Sequence, residues 1–408
     1  MAADDIAPLL ALLLTAARTW SRHEPLDIAA ADEIRFEALR RAHRRYVRRL
    51  PVYRRLAEDQ GLGGPASVAA IVDELMITSD VFKSYDPRWL EDRSFDRMTQ
   101  WLGDRFTRAP SASLDGVTSV AEWRRRLARD EVFLTLSTGT SGRLSFVPRD
   151  GETLQALTSN GAFTIPPLWD GDDEDVDCLV LGPAGRGKGM EVVTRAVARS
   201  VRRSHLLSGT DADAEPDEAA WDAALQFLRR SAREQRRVLV FGTPGHVEQA
   251  CQRLAGGRPL RLAAGSVVLT GGGRKGAQPA DGVALRDRIA DELGVDGRQQ
   301  VDAYSAAELN FVLMTCAYGR YHVPPTVEAV VLDDALMQID AEEAAGTLGF
   351  LDPFALSYPG FIVPGDRALL SRLPCRCGLL GPSIVGEIVR AAGFEARGCA
   401  GVATATLG

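Results

Sequence analysis

Directly after the apolar run 132–136 stands Ser137-Thr138-Gly139-Thr140-Ser141-Gly142-Arg143. Two glycines let such a backbone turn tightly and aim N–H groups at an anion, and the hydroxyls add donors for phosphate oxygens. The same composition also suits an ordinary surface turn. A second loop, Gly182-Pro183-Ala184-Gly185-Arg186-Gly187-Lys188-Gly189, nearly spells a nucleotide-triphosphatase P-loop. Gly189 stands where a Ser/Thr hydroxyl should hold magnesium, which argues against a phosphotransferase built on Lys188. In Thr270-Gly271-Gly272-Gly273-Arg274-Lys275, bare backbone at Gly272 offers a seat for a flat ring. Asp302-Ala303-Tyr304-Ser305-Ala306-Ala307-Glu308 combines an aromatic face for stacking with a carboxylate for a hard cation. Asp366 follows a Pro364-Gly365 turn, as a turn cap or as a ligand. Cys316, His322, Cys375 and Cys377 provide three thiols and an imidazole, the number and softness of a tetrahedral zinc site, though not the spacing of a standard finger. Buried, unmetallated thiols are the alternative reading.

Positioning these groups requires a scaffold, and the hydrophobic rhythm supplies one. The apolar runs 132–136, 178–181, 238–241 and 266–269 each end in a Gly/Ser/Thr cluster and lead into helical periodicity. That alternation predicts a mostly parallel sheet flanked by helices, with ligands collecting beyond the carboxyl ends of the strands. Runs 329–332 and 347–351 predict further strands before a turn-rich tail. Residues 5–130 read as helical, with no β run. An Arg-rich helix is expected from Asp32 to Arg54, burying Phe36, Leu39, Tyr46 and Leu50. Residues 8–17 are apolar but too short to span a bilayer, and Asp4 and Asp5 precede them where a secretory signal carries positive charge. They read as an amphipathic helix packed on the body.

The chain has 408 residues and a net charge of -7, so no basic surface invites a phosphate backbone and nucleic acid is not an expected partner. Six cysteines are too few for a disulfide scaffold of this length; they suit a reducing compartment, and a cytoplasmic location is expected. The acidic stretches 170–177 and 211–218 are expected to be solvated. Only Lys83, Lys188 and Lys275 are lysines.

In combination, the Ser137–Gly142 loop, the 271–273 glycines, Tyr304 with Glu308, and Asp366 resemble the ordered core motifs of adenylate-forming enzymes. The closer resemblance is to the acyl-protein synthetases of bacterial bioluminescence, the long-chain fatty acid–luciferin-component ligases, with phenylacetate-CoA ligases as neighbours. Val81-Phe82-Lys83, Phe241-Gly242-Thr243-Pro244, Cys316 with His322-Val323-Pro324, Ser357-Tyr358-Pro359-Gly360 and Glu395-Ala396-Arg397-Gly398-Cys399 extend the likeness over most of residues 80–408.

This resemblance implies an α/β adenylate-forming core with a truncated C-terminal subdomain. The parts would be a helical region at 1–130, a nucleotide- and acyl-binding core at 131–365, and a short tail at 366–408. It implies that a carboxylic acid reacts with ATP to give an acyl-adenylate, whose acyl group passes to an own cysteine, a carrier protein, coenzyme A or an amine. Ser137, Thr138, Gly139, Thr140, Ser141 and Gly142 would hold phosphates, and Glu308 magnesium. Gly272 and Tyr304 would flank adenine, Asp366 would bind the ribose, and Cys399 would carry the acyl group. A structural zinc on Cys316, His322, Cys375 and Cys377 would pin the tail to the sheet. The chain departs from the family pattern in three places. Ala307 replaces a threonine, Leu379 follows Cys377-Gly378 where the family has arginine, and Glu387 follows Gly386 where the family has another. The last leaves Arg390 or Arg397 to bring a cation to the nucleotide, and a non-catalytic nucleotide-binding homologue as the alternative.

Overall fold

The computed structural model describes residues 5–137, 143–164, 176–182, 197–199, 201–207, 216–257, 259–271 and 282–391. In chain order its strands are β1 (Ile77–Thr78), β2 (Phe133–Ser137), β3 (Ser145–Arg149), β4 (Val176–Leu181), β5 (Arg203–Leu206), β6 (Arg237–Gly242), β7 (Val267–Gly271) and β8 (Gln300–Tyr304). They continue with β9 (Leu313–Thr315), β10 (Tyr321–His322), β11 (Glu328–Leu332), β12 (Glu343–Leu351), β13 (Phe361–Val363), β14 (Asp366–Ser371) and β15 (Ser383–Arg390). Contacts divide the chain into two units. One comprises Met1–Phe163, Ala306–Phe311 and Val323–Gly408; the other comprises Thr164–Ser305 and Val312–His322.

In the first unit the expected amphipathic helix is Ala7–Ser21, burying Leu10, Leu13, Ala16, Ala17 and Trp20. The Arg-rich helix begins and ends earlier than expected, at Ile28–Arg49. Asp27 caps it through the Ala30 N–H, and Leu50, in an extended conformation, breaks it before Pro51 opens the next helix, Pro51–Asp59. These helices pack Leu39, Tyr46 and Tyr53 against Phe354, in the turn after β12, and Phe361 of β13. A short β run does occur in the N-terminal part. β1 pairs in parallel with β13, a match too brief for periodicity to reveal. β12 pairs antiparallel with β11, β13 and β14, and β14 with β15.

The run at 132–136 also differs from expectation. As β2 it joins no parallel sheet but forms an antiparallel hairpin with β3, register Ser137↔Ser145. Helices Phe95–Gly103 and Val120–Arg129 cover it with Trp101, Trp123 and Leu127, which meet Leu134 and Phe146.

The second unit is the predicted parallel sheet, in the order β5-β4-β6-β7-β8, with β9 and then β10 added antiparallel. Helices Glu218–Arg233, Pro244–Leu254 and Gly282–Leu293 flank it. Asp177, expected in solvent, is instead completely buried in β4. Arg203 Nε (3.0 Å), Arg236 Nε (2.9 Å) and Ser231 Oγ (2.6 Å) donate to it. Burial alone would raise its carboxyl, yet these hydrogen bonds hold it below the usual range. Sequence charge alone could not show that the matching arginines come from β5 and the approach to β6.

Candidate active site

Glu308 lies in the short segment Ala306–Phe311 of the first unit and is 6% exposed. Burial pushes its carboxyl above the ordinary range, opposed by its own backbone N–H and by the charges of Lys83, Arg390 and Arg149. Lys83 ends a 3-10 turn, Ser79–Lys83, and is buried with Nζ 3.3 Å from Asp80 Oδ1. The three cations favour the ionised form, and burial outweighs them. The sequence singled out Glu308, but Lys83 only as part of a motif, and Arg149 not at all.

The backbone around Glu308 is held from below. Tyr358 Oη donates to the Glu308 carbonyl at 2.8 Å and accepts from Asn310 Nδ2 at 2.8 Å. Asn310 also donates through its backbone N–H and Nδ2 to Asp352 Oδ2, both at 3.0 Å. Gly360 closes this arrangement, since an added Cβ there would stand 2.4 Å from the Asp352 carbonyl oxygen and 2.5 Å from Ala355 Cβ. The Ser357-Tyr358-Pro359-Gly360 motif is therefore a packed corner.

Asp366 opens β14 just after Pro364-Gly365, with Gly365 at φ +84°, a conformation that favours glycine. The pairings Phe350↔Ile362 and Thr347↔Arg367 leave two residues of β12 facing four of the opposite strand. This bulge sets Asp366 opposite Arg390, whose Nη1 donates to Oδ1 at 2.8 Å. Between Arg367 and Leu369 the register of β14 on β15 shifts again, opposite the stretch that holds exposed Glu387.

Ser137 ends β2 at the mouth of the hairpin loop. Thr138, Gly139, Thr140, Ser141 and Gly142 lie outside the described residues, as do Gly272, Lys188 and Cys399.

In the second unit, Tyr304 ends β8, half-buried, and Gly271 ends β7 against Ala303. Asp302 accepts from Thr270 Oγ1 (2.6 Å) and from Tyr321 Oη, so the carboxyl ends of β7 and β8 are tied together. The Phe241-Gly242-Thr243-Pro244 motif is a strand end followed by a helix cap: Thr243 Oγ1 accepts from the His246 N–H, and Pro244 is the first helical residue.

The ligand atoms of Cys316, His322, Cys375 and Cys377 lie within 4.8 Å of one another. A zinc tetrahedron with bonds of about 2.3 Å has edges of about 3.8 Å, so an inward shift of at most about 1 Å would close it. Both loops carry the same local device. The Tyr318 N–H donates to Cys316 Sγ and the Leu379 N–H to Cys377 Sγ, each at 3.4 Å. Glycines at positive φ, Gly319 and Gly378, complete the turns. These N–H···S bonds fix where each sulfur points. Outside this cluster, burial pushes the Cys178 and Cys251 thiols up to about 12.

A family model described as acyl-protein synthetase, LuxE, matches residues 129–407. The chain is similar to the long-chain-fatty-acid–luciferin-component ligase of Aliivibrio fischeri, 27% identical over 270 residues that cover 65% of this chain and 70% of that protein. The ligase of the same name from Vibrio harveyi is 26% identical over 244 residues, covering 57% and 62% of the two chains. Among solved structures, the chain shares the fold of 2-hydroxyisobutyryl-CoA ligase in its complex with 2-HIB-AMP and CoA. The TM-score is 0.62 at 15% identity, over 90% of this chain and 77% of that one. Among the described residues no helix is long and apolar enough to cross a membrane.

Proposed function

The chain belongs to the LuxE acyl-protein synthetase family, and from that footing we propose that it makes an acyl-adenylate from a carboxylic acid and ATP and then transfers the acyl group. In the first step a carboxylate oxygen attacks the α-phosphorus, the bond to the β-phosphate oxygen breaks, and pyrophosphate leaves. Such a step needs positioning and neutralised charge rather than a protein nucleophile.

The observation that carries this reading is the buried carboxylate of Glu308 among Lys83, Arg149 and Arg390. Glu308 would hold magnesium, which neutralises charge on the phosphates when bound. Ser137, Thr138, Gly139, Thr140, Ser141 and Gly142 would hold phosphate oxygens. Gly272 and Tyr304 would flank the adenine, and Asp366 would accept hydrogen bonds from the ribose hydroxyls. Cys316, His322, Cys375 and Cys377 would hold a structural zinc, a fit supported by their proximity and by the N–H donors to two of the sulfurs.

The test is ATP–pyrophosphate exchange against a panel of fatty, aromatic and amino acids. An adenylating enzyme scrambles label in the presence of its acid. A phosphotransferase using Lys188 makes ADP instead, and a non-catalytic homologue does neither. In the active protein, replacing Thr140 and Ser141 together with alanine should weaken ATP binding or turnover by about 1–3 kcal/mol, the cost of lost hydrogen bonds to a charged group. Unchanged exchange in a folded double variant removes the loop from the phosphate site.

For the second step the proposed acceptor is Cys399, whose thiolate would attack the acyl carbonyl and release AMP. Arg397 stands two residues before it in the sequence, and a cation beside a thiol favours the thiolate, the form that attacks. Intact-mass spectrometry after incubation with ATP and the acid should show an adduct equal to the acyl group, labile to hydroxylamine and absent from Cys399→Ser. Adenylate without adduct would place the acceptor outside the chain, on a carrier protein, coenzyme A or an amine.

A further inference from the structure

Arg149, the last residue of β3, is 1% exposed, and its guanidinium is satisfied by neutral oxygens. Nε donates to Asn310 Oδ1 at 2.9 Å and Nη1 to Thr135 Oγ1 at 2.7 Å. Nη2 reaches the carbonyls of Ala307 (2.7 Å) and Leu309 (3.2 Å) and Tyr358 Oη (3.1 Å), and the cation lies 5.2 Å from the Tyr358 ring centroid. Among the described residues its hydrogen bonds go to no carboxylate, although its charge acts on the buried carboxyls of Glu308 and Asp352. A buried cation bonded to neutral oxygens is costly to place, and its placement asks for a use.

The contacts form a pattern. The carbonyls of three successive residues, Ala307, Glu308 and Leu309, are held by one arginine–tyrosine pair: Arg149 takes the two outer ones and Tyr358 the middle one. On its other side Arg149 grips Thr135 of β2, within the hairpin whose connecting residues include the candidate phosphate loop. One planar fork thus joins the hairpin to the peptide that carries Glu308, and a point charge such as lysine could not make these divergent bonds together.

We infer that Arg149 and Tyr358 are positioning residues that fix the Glu308 backbone against the phosphate-loop hairpin, so that the metal-binding carboxylate is presented without rearrangement. This inference rests on the reading of Glu308 as the magnesium ligand. Neither residue touches substrate; both act through Glu308.

The experiment measures pyrophosphate exchange as a function of magnesium for wild type, Tyr358→Phe, Arg149→Lys and Glu308→Gln, and for the first two substitutions placed in the Glu308→Gln background. Tyr358→Phe keeps the ring and guards against a folding defect in Arg149→Lys; thermal melts accompany each variant. The expected result is a rise of about 5-fold in half-saturating magnesium for Tyr358→Phe, the worth of one hydrogen bond, and a larger rise for Arg149→Lys. The KM for the carboxylic acid should not move. In the Glu308→Gln background neither substitution should change exchange by more than about 2-fold, because groups that act through one residue are not additive. An unaltered magnesium requirement, or equal losses in both backgrounds, overturns the inference and leaves the network a purely structural one. Wild type without acid-dependent exchange overturns the adenylation reading and this inference with it. Exchange whose magnesium requirement is unmoved by Glu308→Gln overturns the assignment of Glu308, and again this inference, while adenylation stands.

Discussion

Glu308→Gln should lower acid-dependent pyrophosphate exchange by about 100-fold or more, the usual scale for removing a preorganised electrostatic group from a transition state. The amide has nearly the shape of the carboxylate but no charge for magnesium. Half-saturating magnesium should rise, while saturating ATP recovers little of the rate. Stability should move the other way. Burial raises the Glu308 carboxyl in the folded chain, so ionising it there opposes folding. The protonated form's contribution is fully present below the unfolded value of 4.5 and is lost as pH rises through the folded value. A neutral amide avoids that loss, and the variant should melt no lower than wild type at pH 7. Asp366→Asn should behave differently, raising the ATP requirement more than that for magnesium or acid. Wild-type kinetics for Glu308→Gln at limiting magnesium would refute its role as a ligand.

Removal of metal from the Cys316, His322, Cys375 and Cys377 cluster is expected to give the largest change in stability. Purified protein should contain close to one zinc per chain by elemental analysis. Structural zinc contributes about 10–16 kcal/mol of apparent binding free energy in small zinc domains, all of it available to folding. Recovering even a few kcal/mol of that here, at about 2–4 °C per kcal/mol for a sizeable domain, predicts that a chelator lowers Tm by at least roughly 5 °C. Cys377→Ser should reproduce the loss, whereas Cys251→Ala, which changes a thiol of the parallel-sheet core, should leave the zinc content intact. Much less than one zinc per chain, or a melt indifferent to chelation, would return the cluster to ordinary thiols.

Much of this was legible in the sequence because it rests on local chemistry. The strands at 178–181, 238–241 and 266–269 announce themselves through uninterrupted apolar runs, as buried parallel strands do. Cys316, His322, Cys375 and Cys377 were recognisable as candidate ligands because soft ligands are rare enough for four to attract notice, and their ligand atoms lie within 4.8 Å of one another. What stayed hidden depends on distant partners. Arg149 looks like any arginine in a chain rich in them, and only the fold brings Thr135, Ala307, Leu309, Asn310 and Tyr358 to it. β2 had the composition of a parallel strand, and its antiparallel partner β3 carries Pro148 and Arg149, which disguise it. Asp177 sat in an acidic run, and the arginines that bury it lie well along the chain.

The packing of the N-terminal helices against β13 and its surroundings has a consequence for how the protein is made. Tyr46 Oη donates to the Ala355 carbonyl, a bond spanning 309 positions of sequence, and Ile77 pairs with Ile362. These helices therefore wait for segments about 300 residues further along the chain before their apolar faces are covered. At synthesis rates of about 5–20 residues per second, that interval is roughly 15–60 s. For that time Leu39, Tyr46 and Tyr53 have no native partners among the C-terminal strands, and a chain stopped short of residue 350 never acquires them. Folding of this unit therefore lags the synthesis of its own helices by the time needed to make about 300 further residues.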